Sequence, residues 1–190
     1  MVSKYNSYPS VKAGLKTISF VFIFISTLSS SYSKNQLFLK KDSLSNTILI
    51  DSVISFGKEF LGSPYQSETP SGETLDCSGF LSYIFSKYDL IIPTSSQLIA
   101  NKTTTIAIDQ AQVGDFLFFK GNNISSNEVG HISLIVEVDG EHIKMIHSCK
   151  RGIVIDNYPI DYYKDRFISA GRLPELILQP NNSSSKLHQQ

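Results

Sequence analysis

An α+β fold is what this 190-residue chain predicts. Three observations carry that reading. Before about residue 90 the apolar residues recur at helical spacing, and after about residue 113 they fall into short extended blocks. Asp139-Gly140, between two of those blocks, is a hairpin signal. Helices followed by hairpin-linked strands pack against one sheet, here a mixed or antiparallel sheet of five to six strands.

The first helix is expected from about Asn46 to Leu61, with Leu49, Val53, Phe56 and Phe60 on one stripe and Gly62-Ser63-Pro64 as the stop. Residues 62–75 are rich in Gly, Ser, Pro and Thr and read as a loop. A second helix should run from Cys77 to about Tyr88, with Phe80, Ile84 and Tyr88 on its stripe and Asp76 at the N-cap. Pro93 marks the break beyond it. Five strands follow: Asp115–Phe119, His131–Val138, Glu141–Ser148, Gly152–Asp156 and Phe167–Leu173.

The N-terminus has a different grammar. Lys4, Lys12 and Lys16 precede an apolar run from Ile18 to Leu28, and the small residues Ser29 to Ser33 follow. That is the layout of a secretory signal peptide. The run is about half the ~20 apolar residues that span a bilayer, so a stable membrane span is not expected. The expected layout is a leader over residues 1–33, a linker over 34–45, one folded domain over 46–178 and a disordered polar tail over 179–190. An uncleaved anchor is the alternative to cleavage. With the leader removed the protein is secreted or periplasmic, and it is expected to be a monomer. The whole chain carries 17 basic and 17 acidic side chains. The leader holds three lysines and no acid, so its removal leaves 14 basic against 17 acidic. Neither balance makes a case for a nucleic-acid partner.

Two cysteines exist, Cys77 and Cys149. Cys77 lies where a flexible loop enters a helix, and the positive end of a helix dipole favours the thiolate, the nucleophilic form. Gly79 leaves the first turn open for a substrate backbone. The alternative for Cys77 is a thiol that merely packs. A cysteine hydrolase also needs an imidazole to take the thiol proton and return one to the leaving amine. His131 opens a strand directly after a glycine-containing loop, so it can reach a cleft edge and serve as the base. His147 shares an apolar strand face with Ile143, Met145 and Cys149, and it can orient His131. A strict two-residue turn at Asp139-Gly140 would pair 138 with 141 and turn the two histidines to opposite faces. An odd loop or a bulge is therefore expected.

These residues stand in blocks that resemble the NlpC/P60 family of papain-like cell-wall cysteine peptidases. The blocks are Gly62-Ser63-Pro64-Tyr65, Asp76-Cys77-Ser78-Gly79-Phe80, Gly114-Asp115-Phe116-Leu117-Phe118-Phe119, Gly130-His131-Ile132-Ser133 and Ile146-His147-Ser148 with Gly152-Ile153. The closing stretch from Tyr162 to Arg172 is similar as well. The resemblance implies a papain-like NlpC/P60 fold, a nucleophile at Cys77, a base at His131 and an orienting group at His147. It further implies that the Tyr65 hydroxyl lies beside the site and helps an oxyanion hole. Asp76, Ser78 and Ser96 stand where family members hold the free N-terminus of a stem peptide. The implied substrate is a peptidoglycan stem peptide or muropeptide, cut between D-γ-glutamate and a diamino acid, with no cofactor and no metal.

Three departures qualify the resemblance. Gln66-Ser67-Glu68-Thr69 replaces a glycine-rich stretch, Thr94 follows Pro93 where an arginine is frequent, and Cys149 stands where a small residue is usual. The last raises a Cys77–Cys149 disulfide that would silence the enzyme. Two other readings stay open: a catalytically silent envelope-binding module with the same fold, and a zinc site built from Cys77, His131, His147 and Cys149.

Overall fold

The computed structural model describes residues 46–66 and 74–174. The expected leader, linker and polar tail lie outside the described residues, as does the Ser67-Glu68-Thr69 departure.

Helix α1 covers residues 46–58. Its Val53 is fully buried, and Leu49, Phe56 and Phe60 pack on the same core. The helix ends three residues before its expected last residue, Leu61. Over residues 59–61 the backbone tightens to three-residue bonds, and Gly62 N–H then leaves to donate to Ile153 O at 2.9 Å. Helix α2, Cys77–Ser86, is capped by Asp76, whose carboxylate accepts from the Ser78 and Gly79 amides. It too stops short of the predicted Tyr88, because Asp89 turns the chain with a positive φ.

Helix α3, Ser96–Lys102, and the three-residue strand β1, Thr104–Ile106, lay outside the predicted elements. The helix buries only Ser96 and Ile99, too little apolar periodicity to announce it. The remaining strands are β2 (Phe116–Lys120), β3 (Val129–Asp139), β4 (His142–Cys149), β5 (Gly152–Tyr158) and β6 (Phe167–Arg172). A single turn of helix, α4 (Asp161–Lys164), joins β5 to β6.

The six strands form one sheet in the order β1-β6-β2-β3-β4-β5, and every pairing is antiparallel. Along β2 alternate residues enter two different cores. Phe116 and Phe118 join Phe80, Phe85, Ile132, Leu134 and Ile146 under α1 and α2. Leu117 and Phe119 join Ile135, Met145, Tyr158 and Tyr163 on the other side. Burial on both faces explains why this strand reads as an unbroken apolar run.

The β3–β4 hairpin contains the expected irregularity. Its two-residue turn is Gly140-Glu141, since Asp139 pairs with His142 and Val138 with Ile143. A register shift then falls between Ile135 and Glu137, so Ile135 pairs with Met145 and Leu134 with Ile146. That one-residue bulge brings His131 and His147 back to one face. At the far end of the sheet Arg172 grips buried Asp115 with two bonds, Nε to Oδ1 at 2.7 Å and Nη2 to Oδ2 at 2.8 Å. This clamp joins the start of β2 to the end of β6.

Candidate active site

Cys77 is the first residue of α2, and several bonds fix where that helix begins. Asp76 Oδ1 accepts the Gly79 amide at 2.7 Å and the Ser78 amide at 3.0 Å. Ser148 on β4 donates to Leu75 O at 2.6 Å, tying the segment before the cysteine to the sheet. A Cβ added at Gly79 would sit 2.0 Å from Thr74 O. The space the glycine leaves is therefore filled by this chain's own backbone, a correction to the expectation of a substrate there.

The sulfur meets the sheet beside His131, where the backbone amide of Ile132 faces the Cys77 thiol and favours its ionised form. His131 Nε2 lies 2.9 Å from His147 Nδ1, with the rings nearly perpendicular at 80°. His147 is fully buried, and its Nε2 lies 3.0 Å from Asp156 Oδ2 on β5. Tyr163 of α4 and Arg151 of the β4–β5 turn both donate to that same carboxylate oxygen. Cys77 arrives from the helix-side core, whereas His131 contacts Phe119 and His147 contacts Tyr163 on the opposite side. The two sets meet in a cleft of about 570 Å³ whose lining includes Tyr65, Cys77, His131, His147, Cys149 and Asp156.

Electrostatics here departs from the expectation of a helix-stabilised thiolate. Burial pushes the Cys77 thiol up, the Asp76 carboxylate adds to the rise, and the Ile132 and Ser78 donors only partly offset it. Burial first, and neighbouring His147 with it, bring His131 down to about 3, with Asp156 working the other way. The resting pair is therefore a neutral thiol beside a neutral imidazole. Tyr65 is raised by burial and by the proximity of Cys77, Asp76 and Cys149, so its phenol keeps its proton as a donor.

Of the seven residues singled out from sequence, Tyr65, Cys77, His131 and His147 share the cleft. Asp76, Ser78 and Ser96 are not among its lining residues. Asp76 is occupied as the N-cap, Ser78 donates to Thr94 O at 2.8 Å, and Ser96 donates to Val129 O at 3.4 Å. Cys77 and Cys149 are free thiols, so the disulfide raised by the sequence is not formed. Among the described residues no group of three or more His, Cys, Asp or Glu is arranged to hold a metal ion. Among them, too, no helix is long and apolar enough to cross a membrane. Sequence reasoning missed Asp156, Arg151 and Tyr163.

The sequence pattern of the NlpC/P60 family matches residues 62–172. The chain belongs to the NlpC/P60 family. The four cleft residues Tyr65, Cys77, His131 and His147 all fall within the match. Gamma-DL-glutamyl hydrolase of Bacillus subtilis is 33% identical over 125 residues, covering 64% of this chain and 29% of that one. Gamma-D-glutamyl-L-lysine dipeptidyl-peptidase of Bacillus cereus is 31% identical over 111 residues, covering 58% and 32%. The alignments thus span less than a third of these relatives' own length. A crystal structure of an NlpC/P60 family protein from Bacillus cereus superposes with a TM-score of 0.54 at 28% identity, over 66% of this chain and 40% of that one. The α+β architecture, with its antiparallel sheet behind a cysteine-bearing helix, is the NlpC/P60 fold.

Proposed function

We propose that this NlpC/P60 protein is a cysteine peptidase of the cell envelope that hydrolyses an amide bond in peptidoglycan stem peptides, the one joining D-γ-glutamate to a diamino acid. One observation carries the reading: a thiol at a helix start and an imidazole held by a second imidazole at 2.9 Å line a single open cleft. The names of the relatives, both acting on γ-glutamyl bonds, point the same way.

With His131 Nε2 engaged by His147, Nδ1 is the nitrogen left to take a proton. His131 removes the thiol proton as the Cys77 sulfur attacks the scissile carbonyl, and the tetrahedral oxyanion forms beside the protonated Tyr65 phenol. Collapse expels the amine, which leaves with the proton His131 returns to it. Water, deprotonated by the same histidine, then hydrolyses the acyl-enzyme.

The test is mass spectrometry of muropeptides incubated with wild type, Cys77→Ala and His131→Ala. Wild type should yield fragments ending in D-γ-glutamate, Cys77→Ala none, and His131→Ala about 10²–10⁴-fold less. Undiminished cleavage by either variant defeats the proposal.

A further inference from the structure

We infer that Asp156 is a positioning residue that sets the tautomers of both histidines and so determines which nitrogen of His131 is free to take the thiol proton. Its catalytic consequence rests on the peptidase reading; the tautomers rest on geometry.

Asp156 is faced from three elements: His147 on β4, Arg151 in the β4–β5 turn and Tyr163 on α4. All three meet the same atom, Oδ2. His147 chiefly, and Tyr163 and Arg151 with it, hold the carboxyl well below the usual carboxylate range. An ionised carboxylate can only accept, so the proton in the 3.0 Å contact belongs to His147 Nε2. Taken as a neutral imidazole with one N–H, His147 is left with Nδ1 as an acceptor. The 2.9 Å contact then requires the hydrogen on His131 Nε2. His131 Nδ1 is left with its lone pair. Each bond fixes the direction of the next, and the whole series is anchored at Asp156. His147 is fully buried, so no bulk water supplies a competing partner.

The neighbouring tyrosine shows what happens without the carboxylate. Tyr163 Oη lies 3.2 Å from His147 Nε2 while its proton goes to Asp156. Once Asp156 is removed, that hydroxyl can donate into Nε2. His147 then carries its proton on Nδ1, His131 Nε2 becomes the acceptor, and the His131 proton moves to Nδ1, the nitrogen catalysis needs empty.

The test uses the full chain labelled with nitrogen-15 histidine; four histidines keep the spectra assignable. Long-range proton–nitrogen correlations near neutral pH should show both His131 and His147 protonated on Nε2. Asp156→Ala should move the His147 proton to Nδ1 and lower kcat on muropeptides about 10–100-fold with KM little changed. Asp156→Asn keeps an acceptor oxygen and should recover part of that loss. A wild-type His147 protonated on Nδ1 overturns the inference, as does Asp156→Ala with both tautomers and kcat unchanged. Should Asp156→Ala fail to fold, the wild-type spectrum decides alone. Absence of turnover by wild type counts against the peptidase reading, and the spectra still decide the tautomers.

Discussion

At the Cys77 sulfur a helix N-terminus and the polar groups of Ile132 and Ser78 work against burial and the Asp76 carboxylate, and the latter two prevail. Proton transfer to His131 is thus coupled to attack instead of preceding it. The alkylation rate of Cys77 by iodoacetamide, measured in a Cys149→Ser background, should rise with a midpoint above the ordinary thiol value of about 8.5. Asp76→Asn should lower that midpoint, since an asparagine still caps the helix but carries no charge. A wild-type midpoint near or below about 7, the range of activated cysteines, would sink the neutral resting pair. The thiol and its two histidines were legible in the sequence because each sits in a local block of recognisable chemistry. Asp156 was not, because Ile153-Val154-Ile155-Asp156 reads as an ordinary strand ending. Its partners come from β4, the β4–β5 turn and α4, and the pairing that opposes Met145 to Asp156 exists only once the sheet forms.

Element boundaries follow from contacts that sequence spacing does not encode. Helix α1 gives way at residue 59 because Gly62 and Ser63 pair with Ile153, a residue ninety positions further on. The need for an irregular β3–β4 pairing could be deduced from parity alone, but its place at Ile135/Glu137 depends on where the turn closes. The start of α2 is the element on which the sulfur's position depends, and Gly79 is its narrowest point. A methyl group there meets Thr74 O at 2.0 Å, and Thr74 is followed by Leu75, whose carbonyl takes the Ser148 hydroxyl. Relief requires the 74–76 segment to move and the Asp76 cap to move with it. Gly79→Ala should therefore cost about 1–3 kcal/mol in urea unfolding, the usual range for overpacking, and lower turnover through a displaced Cys77. Wild-type stability together with wild-type turnover would show that the segment shifts freely.

For the molecule as a whole, two groups of the same cleft make folding sensitive to acid. His131 in the unfolded chain titrates near about 6.5, whereas in the fold burial and His147 bring it to about 3. Between those values the unfolded state binds a proton that the native state refuses, so stability rises with pH across that window and is lost as pH falls. Asp156 acts in the same direction further down: its native value is depressed by His147, Tyr163 and Arg151, so its contribution is present above the ordinary carboxylate range and lost below it. The slope attributable to His131 is at most about 1.4 kcal/mol per pH unit, the value for one proton. Urea unfolding of wild type and His131→Gln between pH values of about 6 and 4 isolates it, because the remaining titrating groups are shared. Wild type should lose stability more steeply than the variant on acidification, with the two curves diverging by up to that slope. Parallel curves would mean that His131 is as free to protonate in the fold as in the unfolded chain, and the neutral pair at the centre of the site would have to be abandoned.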